Sequence, residues 1–582
     1  PATRWPDAMP TGSGIVGAMV YGQIADETIL LNHDALYYPR PQPPTIDVSD
    51  KLGELRRLIE AGQCREAEQV MPDTFTERSG LASGPTSQGR DPYQPFASIK
   101  LTMPTDGPFR DYRRGVDFDT ARTWVRWSDD STGYTRELFV SRKTDTVYLR
   151  IGADKPGAID CRIALAKARD EQGGTKLANT GLLPGEVDLQ TDADASADDR
   201  CATFQGRYPN GFAFGAVGHV AATGGSVETD GDGLQIKNAD EVVLRVRLYL
   251  GDEPADAAPR LLAELNQQSA NFHAALAEHA ELHGELFNRV SVQIDEPTDE
   301  ANEPLLMAAY DGDVPNALIQ RMHAFGRYLL ICSSRPGGWP ANLQGIWNGD
   351  YAPAWNSDIH TDENIQMNYW QALPGAMPET NLPLLDYFER HLDDFRANAR
   401  HVFGARGILL PIAMTTHGRE IPCRWSNWTA AAGWIAQHFY DHYLFTGDRE
   451  FLARRAVPWL REVAAFYEDF LIEADDGTLL FNPSLSPENR PTGGNSLLCI
   501  NATMDIAICR EVLANLCEAC ELLGIESDGV SRWRGMLDRL PDYQINDDGA
   551  MCEWLHPAFK DNYHHRHQSH LYPVFPGLEV TD

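Results

Sequence analysis

Long hydrophobic runs are missing from this sequence. No stretch of about 18 uninterrupted apolar residues occurs, so nothing in it reads as a membrane span. Positive charge is scarce: 50 Lys and Arg stand against 84 Asp and Glu, for a net charge of −34. Such a field repels nucleic acid and anionic membranes and suits a neutral partner, although it is also what a soluble surface needs. The ten cysteines are scattered and form neither a disulfide framework nor a paired zinc pattern. The one Cys-x-x-Cys, Cys517 with Cys520, lies in a helical pattern and reads as helix packing rather than a redox or metal site. No glycine-rich phosphate loop or dinucleotide fingerprint follows a strand, and no Gly-x-Ser-x-Gly elbow is present. The chain begins at Pro1 and reads as cut there, so a signal peptide would lie upstream; a periplasmic or secreted location is compatible and the compartment stays open.

Hydrophobic content of 42% and charged content of 23% are ordinary for a globular protein, and 582 residues suffice for several domains. Residues 1–255 read mostly as strands, with β-branched or aromatic runs at 17–22, 146–151 and 241–250 bounded by Gly, Asp and Asn. One helical insertion, about 50–71, interrupts them. Many strands with turn signals predict an N-terminal antiparallel β-sandwich. Residues 256–300 read as a helical linker. From 301 to 582 helices dominate, expected at 314–332, 382–399, 427–446, 448–473 and 503–523, each with apolar positions spaced near 3.6 and followed by breakers. Helix pairs joined by long, motif-bearing loops predict an (α/α)6 toroid barrel. About eight helices can be counted where that barrel needs twelve, so the barrel is expected to be incomplete at its C-terminus.

The segment 338–370 is rich in indoles and amides: Trp339, Asn342, Gln344, Trp347, Asn348, Trp355, Asn356, His360, Asp362, Glu363, Asn364, Gln366, Asn368 and Trp370. Indole faces stack on the C–H faces of sugar rings, while amides, acids and imidazoles bond to sugar hydroxyls. A core helix would not spend so many polar groups, each of which needs a partner once buried. The segment is therefore a candidate carbohydrate site, with Asn342, Gln344, Trp347, Trp355, His360, Asn368 and Trp370 as substrate-binding residues.

Ser484-Leu485-Ser486-Pro487-Glu488-Asn489 forms a loop with a carboxylic acid beside proline. Glycoside cleavage needs one carboxyl to protonate the leaving oxygen, and Glu488 is a candidate for that role; a turn-capping glutamate is the plainer reading. An inverting glycosidase also needs a base that holds water on the far side of the sugar, which Asp362 or Glu363 could do. Alternatively, the acidic pair starts a helix and complements its dipole, and the two readings can apply to different members of the pair. The cluster His564-His565-Arg566-His567-Gln568-Ser569-His570-Leu571 lacks further metal ligands at usual spacing, so His567 and His570 are read as hydrogen-bonding sugar hydroxyls or structuring the loop. Glu553, next to Trp554, joins the substrate-binding candidates. Asn427-Trp428-Thr429 and Asn501-Ala502-Thr503 match glycosylation sequons, a weak pattern.

Taken together, the N-terminal stretch 8–22 with Leu31-Asn32-His33-Asp34, the run 340–348, Gln366-Met367-Asn368-Tyr369-Trp370, Ser486-Pro487-Glu488-Asn489 and His565-Arg566-His567-Gln568-Ser569-His570-Leu571 resemble glycoside hydrolase family 95, the inverting α-L-fucosidases and relatives. The resemblance runs in order along the whole chain. It implies a sandwich, a helical linker and an (α/α)6 catalytic barrel, with a further C-terminal β-domain outside this sequence. It also implies Glu488 as general acid, and it places the family's sugar- and water-binding His-x-Asn-x-Asn on His360, Asp362 and Asn364. The first asparagine is here an aspartate, with Glu363 beside it. The family's base-side aspartate would lie beyond Asp582, so either that segment supplies the base or Asp362, which unlike an amide can accept a proton, has taken it over. The implied reaction is exo-acting, inverting release of α-L-fucose from a neutral oligosaccharide or polysaccharide, with no metal and no organic cofactor. L-galactose or another sugar, a non-catalytic binding relative and a phosphorylase are the alternatives, and the oligomeric state is left open.

Overall fold

The computed structural model describes residues 1–81, 90–105, 107–168, 192–198, 200–294 and 298–580. The chain forms two compact units, one comprising Pro1–Pro39, Asp91–Ser357 and Pro374–Leu384, the other Arg40–Arg90, Asp358–Leu373 and Leu385–Asp582. The helices Leu52–Glu60 and Cys64–Ser79, an insertion within the strand-rich stretch of the sequence, therefore belong to the second unit.

Among the described residues the first unit is built on fifteen strands: β1 (Met9–Gly12), β2 (Val16–Val20), β3 (Asp26–His33), β4 (Ala97–Thr102), β5 (Arg110–Asp117), β6 (Arg122–Ser128), β7 (Gly133–Val140), β8 (Val147–Ala153), β9 (Ile159–Ala166), β10 (Asp192–Asp198), β11 (Cys201–Arg207), β12 (Ala213–Thr223), β13 (Ser226–Asp230), β14 (Gly233–Ala239) and β15 (Glu241–Leu250). They make a seven-stranded sheet of order β1-β2-β3-β4-β9-β14-β13 and an eight-stranded sheet of order β10-β11-β12-β15-β8-β7-β6-β5, antiparallel at every pairing. Side chains alternate across each strand, so one face of each sheet is apolar. Ile29 and Leu31 of the first sheet meet Leu138, Leu149 and Leu244 of the second in one buried cluster. This is the antiparallel sandwich expected from the strand runs.

The stretch expected to be a single linker is two helices, Pro254–Gln267 and Phe272–Phe287, on the opposite face of the second sheet. Leu261 and Leu265 cover Val217 and Tyr249, while Phe272 covers Phe139, Tyr148 and Val243. The second helix starts where Asn271 accepts the Ala274 N–H at 3.0 Å, a cap worth about 1 kcal/mol. It carries His279 and His283 into the interior, at 1% and 0% exposure. His279 Nδ1 accepts the Arg142 N–H at 3.1 Å, and His283 Nε2 lies 2.9 Å from the Phe118 carbonyl. Burial drives both imidazoles toward the neutral form, with pKa values pushed down to about 3 and about 4.

In the second unit, helices pack through aromatic contacts. Trp459, 2% exposed, stacks on Phe439 at 4.8 Å and meets Phe388 and Phe395 edge-on; replacing such a side chain with alanine costs about 3–5 kcal/mol. The helix expected over 382–399 is broken at His391 (φ −103°, ψ 12°) into Pro378–Arg390 and Leu392–Phe403. The one expected over 448–473 begins with a short turn and a wide π turn, Leu452–Ala456, before Val457–Phe470. Pro458 has no N–H to give the carbonyl of residue 454, so the ladder must adjust there. Ala431–Thr446 and Thr503–Leu523 stop at Gly447 and Gly524, whose left-handed φ of 68° and 69° costs glycine nothing. Cys517 and Cys520 are buried in the latter helix. Both sequon asparagines, Asn427 and Asn501, are buried at 1% and 3% exposure and offer no glycan a place. No helix among the described residues is long and apolar enough to cross a membrane.

His279 and His283 set an acid limit on the first unit. Their folded pKa values lie below the unfolded value near 6.5, so their contribution is complete above that pH and is lost as pH falls toward about 4 and about 3. Each costs up to about 1.4 kcal/mol per pH unit in that window. The urea midpoint should drop between pH 7 and pH 5, and drop less in His283→Gln; equal drops would rule out this cause.

Candidate active site

The site is assembled in the second unit, starting from an extended segment. Ile359–His360 pairs with Ala413–Met414, and Thr361 donates its N–H to Ile412 and its hydroxyl to Pro411, both at 2.8 Å. In an extended chain alternate residues face one way, so Asp358, His360 and Asp362 project together. His360 Nδ1 is 3.0 Å from Asp358 Oδ1 and its Nε2 is 3.3 Å from Asp362 Oδ1. The three side chains are 12%, 2% and 3% exposed in the order His360, Asp358, Asp362. With an acceptor at each ring nitrogen, the imidazole is held as the doubly protonated cation. Burial opposes that charge, but Asp358 and Asp362 outweigh it and push the His360 pKa up to about 9. Asp362 moves up from the usual carboxylate range, chiefly through burial and further through the charge of Glu488, against the pull of His360 and His567. Asp362 and Glu488 thus belong to one electrostatic site.

Glu363 does something different. It is the N-cap of the helix Asn364–Tyr369: its side chain accepts the Gln366 N–H, while Gln366 Oε1 accepts the Glu363 N–H at 3.2 Å. This reciprocal capping box answers the choice left open by the acidic pair. Glu363 starts the helix, and Asp362 faces His360. Asn364 is the first helical residue, Asn368 lies one turn on, and Trp370 ends the segment with its ring edge-on to Phe575 at 4.8 Å.

Glu488 sits at the tip of a turn closed by Asn489 N–H donating to the Ser486 carbonyl at 2.8 Å. Its carboxyl is 31% exposed and pairs with Arg566 at 3.3 Å, while its backbone N–H donates to His567 Nδ1 at 3.1 Å. The histidine cluster therefore packs directly against the loop, with His565 and His567 ring to ring at 4.9 Å and the Ser569 hydroxyl donating to the Pro487 carbonyl. Burial lowers the His570 pKa. No group of three or more His, Cys, Asp and Glu side chains among the described residues is arranged to hold a metal ion.

Glu553 is 4% exposed, and both carboxylate oxygens are taken: Oε1 accepts the Ser486 hydroxyl at 2.8 Å and Oε2 the Asn489 amide at 2.7 Å. It supports the loop, where the sequence reading placed a substrate-binding residue. Asp505, fully buried, holds the preceding strand by accepting the Ser484 hydroxyl at 2.6 Å. Burial pushes both acids up to about 7.

The other expected sugar contacts lie in the first unit. Trp347 is 5% exposed in a core cluster with Ile346 and Tyr328, its indole N–H donating to Thr11 at 2.9 Å. Asn342, 2% exposed, makes a turn by accepting the Gln344 N–H at 2.8 Å and the Ser357 hydroxyl at 3.0 Å. Gln344 accepts the same hydroxyl at 3.1 Å. Trp347, Asn342 and Gln344, read from the sequence as binding residues, thus each also give a polar group to the core or the turn. Trp355 is 43% exposed.

Asp358, Ser486, Asn489 and Asp505 were not among the candidates, although Asp-x-His-x-Asp carries the alternation that would have exposed Asp358. Arg90 and Glu420 had no signal at all. Both are buried, the charge of Arg90 acts on His360 and on Glu420, and Arg90 Nη1 and Glu420 Oε2 have no hydrogen-bond partner among the described residues. A sugar hydroxyl can accept from Arg90 and donate to Glu420.

Comparison with known proteins matches residues 271–582 to the glycosyl hydrolase family 95 catalytic domain and residues 1–249 to the glycosyl hydrolase family 65 N-terminal domain. An Alpha-L-fucosidase 2 of Arabidopsis thaliana is 31% identical over 100% of this chain and 71% of its own length. The "Probable alpha-fucosidase A" of Aspergillus niger is 24% identical over 99% of this chain and 73% of its own. Among solved structures, a human-microbiome protein assigned as a kojibiose phosphorylase superposes with a TM-score of 0.59 at 11% identity, over 93% of this chain and 68% of that one, a likeness of fold alone.

A ring-proton NMR titration of His360 should give a midpoint near 9, moved down by about one unit in Asp358→Asn, which removes one of the two stabilising charges. A midpoint near 6.5 in the parent protein would show that the carboxylates do not hold it.

Proposed function

Because the chain belongs to glycoside hydrolase family 95, and is therefore a glycoside hydrolase, we propose that it removes terminal α-L-fucose from neutral oligosaccharides or polysaccharides with inversion at the anomeric carbon. The observation that carries this reading is the placement of two carboxyls, Asp362 held 3.3 Å from His360 and Glu488 on a loop packed against His567, close enough for the charge of Glu488 to act on Asp362, as an inverting glycosidase requires. The names of the fucosidase relatives support the sugar, and the excess of acid over base supports a neutral substrate.

Glu488 donates its proton to the glycosidic oxygen as the C1–O bond breaks. A water held by Asp362 and Asn364 attacks C1 from the opposite face and gives its proton to Asp362, so that the sugar leaves as the β-anomer. The upward shift of Asp362 makes its carboxylate a stronger base, and the His360 cation beside it opposes that shift. The same cation holds Asp362 toward the sugar, with Trp370 and Asn368 as contacts and His567 and His570 on the side of the acid. Trp355 stays in this reading as an exposed aromatic of the first unit.

Proton NMR during hydrolysis of an α-1,2-fucosylated galactoside should show β-L-fucose first, with α-L-fucose appearing only by mutarotation. Initial α-anomer would overturn the inverting assignment, and release from α-L-galactosides alone would move the specificity. Glu488→Gln should lower kcat by about 10²- to 10⁴-fold; Asp362→Asn should do likewise if Asp362 is the base.

A further inference from the structure

We propose that Glu553 is the positioning residue of the acid: its carboxylate closes the 486–489 turn from beneath and thereby sets where the Glu488 carboxyl points. The inference rests on the assignment of Glu488 as general acid. Ser486 and Asn489 are the first and last residues of the turn that has Glu488 near its tip, and the turn is already closed by one backbone hydrogen bond of 2.8 Å. Glu553 closes it a second time, one oxygen to each end. With both oxygens accepting, the arrangement is that of the carboxylate, and at 4% exposure the group can serve nothing but this turn.

Glu553 is itself fixed on rigid elements. Its N–H donates to Asp561 Oδ1 at 2.8 Å, and its carbonyl accepts the N–H of Thr503, the first residue of the helix Thr503–Leu523, at 3.0 Å. The neighbouring Asn562 returns to Asn489, accepting at its carbonyl at 2.9 Å and donating from its amide at 3.3 Å. The placement of Glu488 is therefore inherited from a helix start through one buried carboxylate. Displacing such a donor by an ångström is enough to cost a large part of its catalytic effect. Burial pushes Glu553 up to about 7, with Asp561 adding to the rise, so the clamp sits close to its own titration at neutral pH.

Leaving-group dependence separates this role from a merely structural one, because proton donation matters for a sugar leaving group and little for an acidic phenol. In Glu553→Gln an amide NH2 must face one of the two donors. The variant should lose about tenfold or more in kcat on the fucosylated disaccharide, with KM little changed, and less than about threefold on an aryl α-L-fucoside with an acidic phenol. Ser486→Ala, a smaller cut that removes one arm, should show the same pattern more weakly, with unfolding midpoints read alongside. Glu488→Gln should show it most deeply. Equal losses on both substrates in Glu553→Gln and Ser486→Ala, or no loss on either, would overturn the inference while leaving Glu488 as acid. If Glu488→Gln itself shows no leaving-group dependence, the acid assignment fails and the inference falls with it.

Discussion

The site depends on one cation held out of water. His360 is nearly enclosed, and an enclosed imidazolium is unfavourable unless charge of the opposite sign is close on every polar edge. Asp358 and Asp362 supply that charge at 3.0 and 3.3 Å, one to each ring nitrogen. The arrangement also fixes Asp362, whose carboxylate must face the ring and cannot turn to cap the helix beside it. Glu363 takes the cap instead. With the cation in place, two acids can share the site with Glu488 without leaving the region uniformly negative.

The loop that carries Glu488 is governed by the same physics with the sign reversed. Here buried carboxyls are satisfied by hydroxyl and amide donors rather than by cations. Asp505 holds Ser484, and Glu553 holds Ser486 and Asn489. Each such bond counts for more than an exposed ion pair, because breaking it would leave a charge or a donor unpaired in the interior. The many ion pairs on the surface, such as Arg406 with Asp469, do not set this geometry.

Membership of family 95 gives the chain its reaction class, and at position 362 the chain holds a carboxylate beside a cation. An amide at that position can orient water but cannot take its proton; an aspartate can do both. The adjacent cation makes a carboxylate there compatible with burial. The orphaned Arg90 Nη1 and Glu420 Oε2 add a polar pair of the kind a sugar hydroxyl satisfies, on residues far apart in the chain.

Local pattern determined a good deal. Strand alternation and turn residues in 1–255 were enough for an antiparallel sandwich, helical spacing after 300 for a helical domain, and short motifs for the family with Glu488, His360 and Asp362 in view. All of these are properties of neighbours in sequence, where side-chain period and hydrogen-bonding capacity are written directly. Composition does not show where polar and aromatic residues are also needed by the fold itself. Trp347 went to a core, Asn342 and Gln344 to a turn, and Glu553 to the underside of a loop, because a buried amide, indole or carboxyl serves the nearest unpaired group before it serves a ligand. Only the tertiary structure could decide those cases. It also decided which of Asp362 and Glu363 faces the site and that Glu553 lies beneath Glu488, since pairings across 64 or 67 residues depend on where the backbone returns and not on any spacing in the chain.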